Sequence, residues 1–289
     1  MAFKTILTVS GSEGGDADLK LAAGLCEELD AHLSVLLLSI ASPPPVGEYG
    51  VIVADPWMRE MRAETERLKA RTVSVTSYLA EAGISADVSS DSVEIAFADD
   101  AIGQRARYTD LTVVLPELLA SNGALRAKVI EGALFSSGKP LVLVPEGSPA
   151  TMRPKRVAVA WDSRVESSRA VREALELLKG ADEVRLVLVD PVESGTGHGE
   201  EPGADAAAYL ARHGVNVTVD RLPSLGQTVA SVLRRYVVDS SAEMLVMGAY
   251  GHSRLREMLL GGTTRHPRVE VHDSSASPPD LDADALDED

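Results

Sequence analysis

Residues Met244–Thr264 read MLVMGAYGHSRLREMLLGGTT. The run Met244 to Met247 is apolar and has the length of a buried strand. Gly248 ends it, Gly251 follows three residues later, and nine more residues lead to Gly261-Gly262-Thr263-Thr264. Glycine turns the backbone sharply and lets it approach a ligand closely. A glycine turn between a strand and a helix directs free N–H groups outward, where the helix dipole adds positive potential. Ser253, Thr263 and Thr264 supply hydroxyl donors, and Arg254 and Arg256 supply positive charge. Together these are the parts needed to hold phosphate. A tight strand–helix turn without a ligand needs the same glycines.

The spacing Gly-x2-Gly-x9-Gly is not the Gly-x4-Gly-Lys-Ser/Thr pattern of the P-loop, which occurs nowhere in the chain. It resembles the phosphate-binding signature of the universal stress protein family. Gly262 departs from that signature, standing where the family often has Ser or Thr. The resemblance implies an adenine nucleotide, ATP foremost, with Mg²⁺ bridging its phosphates. It implies contacts from Gly248, Gly251, His252, Ser253, Arg254, Gly261, Gly262, Thr263 and Thr264. His252 reads as a phosphate donor or, by a small margin better, as a solvated turn residue.

Outward from this stretch, strands alternate with helices, which argues for a mainly parallel sheet. In the first half, strands are expected at Phe3–Val9, Leu33–Ile40, Ile84–Val88, Leu111–Leu115 and Pro140–Val144. Helices are expected at Leu19–Leu29, Asp55 to about Ala82, Glu94–Arg107 and Ala124–Leu134. Pro43-Pro44-Pro45 reads as an extended loop. After the linker-like EGSPATMRP, Glu146–Pro154, the pattern restarts. KTILTVSGS from Lys4 aligns with KRVAVAWDS from Lys155, and TDLTVVL from Thr109 aligns with AEMLVMG from Ala242. Such a repeat means two copies of one domain. The expected fold is α/β, with two tandem doubly wound domains, each a mainly parallel five-stranded sheet flanked by helices. Their expected spans are residues 1–146 and 154–266.

The copies differ where ligands bind in such sheets, outside the carboxyl ends of the strands. Gly11 stands where the second copy has Asp162. Pro116-Glu117 stands where it has Ala249-Tyr250. Pro116 has no N–H, and Glu117 would repel phosphate. The family resemblance gives Asp162 a contact to sugar or base and Val189 an apolar contact to the base. An N-cap for the following helix is the other reading of Asp162. The second copy is therefore expected to keep a nucleotide site and the first to act as its structural partner.

The C-terminus departs from the pattern. Pro267 stops any helix within a turn, and RVEVH can form only a short strand. The second copy is expected to lack a complete last helix and strand, leaving the edge of its fourth strand exposed. Residues 273–289 carry seven acids and no base, which reads as a disordered tail.

With Lys plus Arg at 28 and Asp plus Glu at 44, the net charge is −16, which argues against nucleic acid and anionic membrane surfaces. The start lacks the pattern of a signal peptide, and no apolar run reaches membrane-spanning length, so a cytoplasmic location is expected. Cys26 lies in a helical apolar pattern and reads as an inert thiol. Gly195-Thr-Gly197-His-Gly199 reads as a flexible loop. No catalytic arrangement can be assigned from spacing, so slow ATP hydrolysis is an alternative without a named base. Two functions remain open: a stress-response regulator binding an adenine nucleotide, and a scaffold acting through dimerisation or partner binding. A homodimer or an intramolecular domain pair is the expected assembly.

Overall fold

The computed structural model describes residues 3–44, 46–47, 50–51, 55–121, 124–148, 150–192, 201–249 and 269–272. The first half runs β1 (Thr5–Gly11), α1 (Asp16–Leu29), β2 (His32–Ala41), a two-residue-per-strand hairpin β3 (Val46–Gly47) and β4 (Gly50–Val51), then α2 (Asp55–Glu81). It continues with β5 (Ala86–Glu94), α3 (Ala98–Ala106), β6 (Leu111–Val114), α4 (Pro116–Ala120), α5 (Ala124–Glu131) and β7 (Leu141–Leu143). The second half runs β8 (Arg156–Ala160), α6 (Val165–Glu173), α7 (Leu175–Gly180), β9 (Glu183–Val189), α8 (Ala204–Arg212), β10 (Val217–Leu222), α9 (Val229–Asp239), β11 (Met244–Val246) and β12 (Val269–His272).

All the described strands except β3 and β4 join one sheet in the order β10-β9-β8-β11-β12-β7-β6-β1-β2-β5. Each half on its own has the order third-second-first-fourth-fifth, and within each half every pairing is parallel. The halves meet where β12 pairs antiparallel with β7, His272 opposite Leu141. RVEVH forms the short strand expected of it, but one expectation is corrected: the strand pairs in parallel with β11 and covers the edge thought to be exposed. The strand also lies beyond residue 266. The third strand is longer than its sequence suggested, and the short α4 and the β3–β4 hairpin were not expected. The Gly195–Gly199 loop and residues 273–289 lie outside the described residues.

The near-continuous apolar runs of the strands follow from burial on both faces. On one face a single core runs through both halves, with α1, α2, α6, α7 and α8 against it and Ile6, Leu37, Val142, Val159, Leu186 and Val246 among its members. The opposite face carries two clusters, one under α3 and α5, the other under α9. Cys26 is buried in the shared core, and burial pushes its thiol up to about 12.

The linker is docked rather than loose. Met152 is buried in the shared core. Its amide and the Thr151 hydroxyl donate to the Glu28 carboxylate at 2.6 and 2.9 Å. Among the described residues, no helix is long and apolar enough to cross a membrane.

Candidate functional site

In each half the order of strands reverses between the first and fourth strands, so the crevice that can take a ligand opens there. In the second half, that point lies between β8 and β11. A cavity of ≈ 190 Å³ opens at it, lined by residues from the ends of β8, β9 and β11 and the starts of α6 and α9. Three residues singled out from sequence, Asp162, Val189 and Gly248, come together around it. Gly251, His252, Ser253, Arg254, Gly261, Gly262, Thr263 and Thr264 lie outside the described residues.

Gly248 is required by packing. A Cβ there would stand 2.7 Å from the Glu166 carbonyl carbon and 2.8 Å from the Ser167 nitrogen. The end of β11 thus presses against the first turn of α6, and only glycine permits that approach. Val189 and Val187 alternate along β9, so both point into the cavity, while Leu188 between them joins the shared core on the other face. Asp162 accepts from the Arg164 amide at 3.2 Å, which turns its carboxylate back over the loop. The residue capping α6 is Arg164, with no side-chain hydrogen bond.

Sequence reading missed Trp161, Glu166, Asp190, Val229 and Leu233, which also line the cavity. Val229 and Leu233 are one helical turn apart on α9, and that i, i+4 spacing could have marked them. Asp190 could not be found this way. Its Oδ1 accepts from the Ser224 amide at 2.8 Å, 34 positions away. Ser224, by its side chain and its N–H, holds the Asp190 carboxyl below the ordinary carboxylate range.

In the first half, carboxylates of the chain itself gather at the carboxyl ends of the strands, Glu64 on the α2 side of the sheet. Glu64, on α2, accepts from Ser12 Oγ at 2.6 Å and Ser39 Oγ at 2.7 Å, beyond β1 and near the end of β2. Arg67 pairs with its other oxygen. These three partners, the hydroxyls first, lower the Glu64 carboxyl from 4.5 to about 2. The Glu117 carboxylate accepts from the Gly15 amide at 2.9 Å. The amides of Glu117 and Leu118, which begin α4, donate to the buried Asp18 at 3.1 and 3.3 Å. Burial raises the Asp18 carboxyl against those two bonds, which lower it. Arg71 reaches from α2 to Asp16 at 2.8 Å and to the Gly15 carbonyl at 2.9 Å. Carboxylates of the chain therefore stand where an anion would meet backbone amides.

A separate polar cluster ties the amino ends of β2 and β5, at the opposite edge of the sheet. His32 meets Ser85 Oγ at 2.9 Å and Asp87 at 3.0 Å, and Asp87 also pairs with Arg105. The cavity lies at the other end of the strands, so this cluster takes no part in it.

Residues 154–266 match the model of the universal stress protein family. No curated protein matches the chain in sequence. Among solved structures, a universal stress protein from Archaeoglobus fulgidus DSM 4304 is 17% identical with a TM-score of 0.63, over 93% of this chain and 96% of that one. A functionally unknown protein from Pseudomonas aeruginosa PAO1 is 13% identical with a TM-score of 0.55, over 94% and 93%. At these identities the likeness is one of fold. A universal stress protein solved in complex with cAMP aligns over 38% of this chain and 86% of its own, at 18% identity and a TM-score of 0.29.

Proposed function

We propose, from the match of residues 154–266 to the universal stress protein family model, that the second half binds an adenine nucleotide, ATP foremost, as a stress-response regulator. The observation that carries this reading is the cavity at the β8–β11 reversal, where Asp162, Val189 and Gly248 meet at the entrance to the glycine motif. Its volume of ≈ 190 Å³ is below the ~300–1,000 Å³ of whole ligand sites. It suits the nucleoside end, with phosphates carried toward the Gly251–Thr264 motif. Apolar Val187, Val189, Val229 and Leu233 give a flat ring somewhere to pack. Asp162 gives a ribose hydroxyl an acceptor.

The first half then acts as a scaffold, with the carboxylates of Glu117 and Asp18 on backbone amides at its strand ends. Its unit spans residues 1–146, and the nucleotide-binding unit runs from 154 through β12. The two pair within one chain, so binding needs no second copy. Mg²⁺ would arrive on the phosphates. Among the described residues, no group of three or more His, Cys, Asp or Glu could hold a metal alone.

The test is to denature the purified protein and identify what is released by mass, then to add millimolar ATP to the emptied protein with and without EDTA. Ligand at a hundred times its Kd stabilises by about 2.7 kcal/mol, a shift of several degrees. Release of an adenine nucleotide, or such a shift, supports the reading. An empty protein that ATP leaves unmoved contradicts it.

A further inference from the structure

Three groups stand at the carboxyl ends of three neighbouring strands. Gly248 follows β11, Asp162 follows β8 and Asp190 follows β9. The strands pair in the order β11, β8, β9, with Val246 opposite Val159 and Ala160 opposite Val187. Adjacent strands lie about 4.8 Å apart. A nucleotide laid across them with its phosphates over β11 brings its sugar over β8 and its base over β9. Asp190 is then the carboxylate nearest the base.

The backbone around this rim is strained. Among the described residues, five that are not glycine have positive φ. Asp30 caps α1, and Ser241 follows the end of α9. The other three are Ser163 (62°), Asp190 (47°) and Leu225 (51°), of which Asp190 lines the cavity. Ser163 stands between the lining residues Asp162 and Arg164, and Leu225 follows Ser224, the partner of Asp190. A bulky residue in this region is a genuine outlier, and such strain gathers at ligand clamps. Leu225 is 77% exposed and Val192 67%, so the clasp between Asp190 and Ser224 joins two segments that each hold an apolar side chain in solvent. The first half has no such residue at its strand ends among those described.

We propose that Asp190, fixed by the Ser224 amide, is a specificity-determining residue that selects bases bearing an exocyclic amine over bases bearing a keto oxygen at the same position. This rests on the nucleotide reading above. An ionised carboxylate only accepts hydrogen bonds. Opposite an amine it gains a charge-assisted bond, and opposite a keto oxygen it meets a second acceptor. The low-lying carboxyl of Asp190 keeps it ionised across the physiological range.

The test compares ATP with inosine triphosphate, which carries a keto oxygen in place of the amine and, with it, a proton on N1. Affinities are measured by calorimetry on the full chain and on Asp190→Asn and Asp190→Gly. Both replacements tolerate positive φ, so the rim keeps its backbone. The natural chain is expected to prefer ATP about tenfold, because Asp190 is exposed and its bond is worth the low end of charged hydrogen bonds. Both variants should bring the ratio close to one. A ratio near one in the natural chain, or an unchanged ratio in variants that still bind ATP, overturns the proposal and leaves the nucleotide reading standing. Failure of the natural chain to bind either nucleotide overturns both.

Discussion

The two halves share a strand order and differ in what stands at their strand ends. In the second half, the space beyond β8, β9 and β11 is an open cavity. In the first half, the Glu64 carboxylate stands beyond β1 and β2 on the α2 side of the sheet, bonded to Ser12 and Ser39. The halves also differ in a helix. α2 has 27 residues and α8, its counterpart, has nine. At 1.5 Å per residue that is about 40 Å against about 14 Å. The extra turns carry Glu64, Arg67 and Arg71 over the strand ends. Duplication thus leaves an open cavity at the strand ends of one half and the chain's own carboxylates at those of the other.

The largest expected effect comes from giving Gly248 a side chain. Gly248→Val drives Cβ into the backbone of α6, which cannot move aside cheaply. It should destabilise the protein by about 2–3 kcal/mol and abolish ATP binding, read by thermal unfolding and calorimetry. In the first half, a Cβ at Gly15 would first meet the Glu117 carboxylate, at 2.6 Å, the far end of a flexible side chain. Gly15→Val should cost about 1 kcal/mol and leave ATP affinity unchanged. Equal effects on binding would erase the contrast between the halves.

Next is the Glu64 carboxylate. Glu64→Ala strips two serine hydroxyls and Arg67 of their partner and should cost about 2 kcal/mol with no change in ATP affinity. The pH dependence sharpens this. Because the folded-state value lies below the ordinary one, the contribution of Glu64 is present above pH 4.5 and is lost as pH falls toward about 2. In Glu64→Gln, the stability lost on acidification between those values should be smaller than in the natural chain. Asp18, raised by burial, acts in the opposite sense and contributes at low pH. Identical acid limbs in chemical denaturation would show that the bonds of Glu64 to Ser12, Ser39 and Arg67 add nothing to stability.

The smallest effect on stability is expected at Asp162, half-buried and bonded within its own loop. Asp162→Ala should shift the unfolding midpoint by a degree or two and weaken ATP about tenfold. Loss of stability without loss of affinity would make Asp162 a loop-shaping residue only.

Much of this architecture was legible because apolar runs and glycine turns are local signals. β1, β2 and β6 and the long α2 fall near their expected bounds, and the repeat of KTILTVSGS in KRVAVAWDS announced the second copy. Of the residues lining the cavity, Gly248 was named from the glycine motif and Asp162 and Val189 from the family resemblance. The contacts that decide the contrast were not legible. Glu64 meets Ser12 across 52 positions, Asp18 meets Leu118 across 100, and Asp190 meets Ser224 across 34. A spacing pattern carries no trace of such pairs, since each depends on where two elements meet in the fold. The fifth strand of the second half was undervalued for a related reason. Four residues make a weak strand signal, yet β12 gains partners on both sides, β11 and β7.

Calorimetric stoichiometry tests the central contrast most directly. Titration of the emptied full chain with ATP should give one site per chain, lost in Gly248→Val and kept in Gly15→Val. Two sites per chain, or a single site that survives in Gly248→Val, would contradict it.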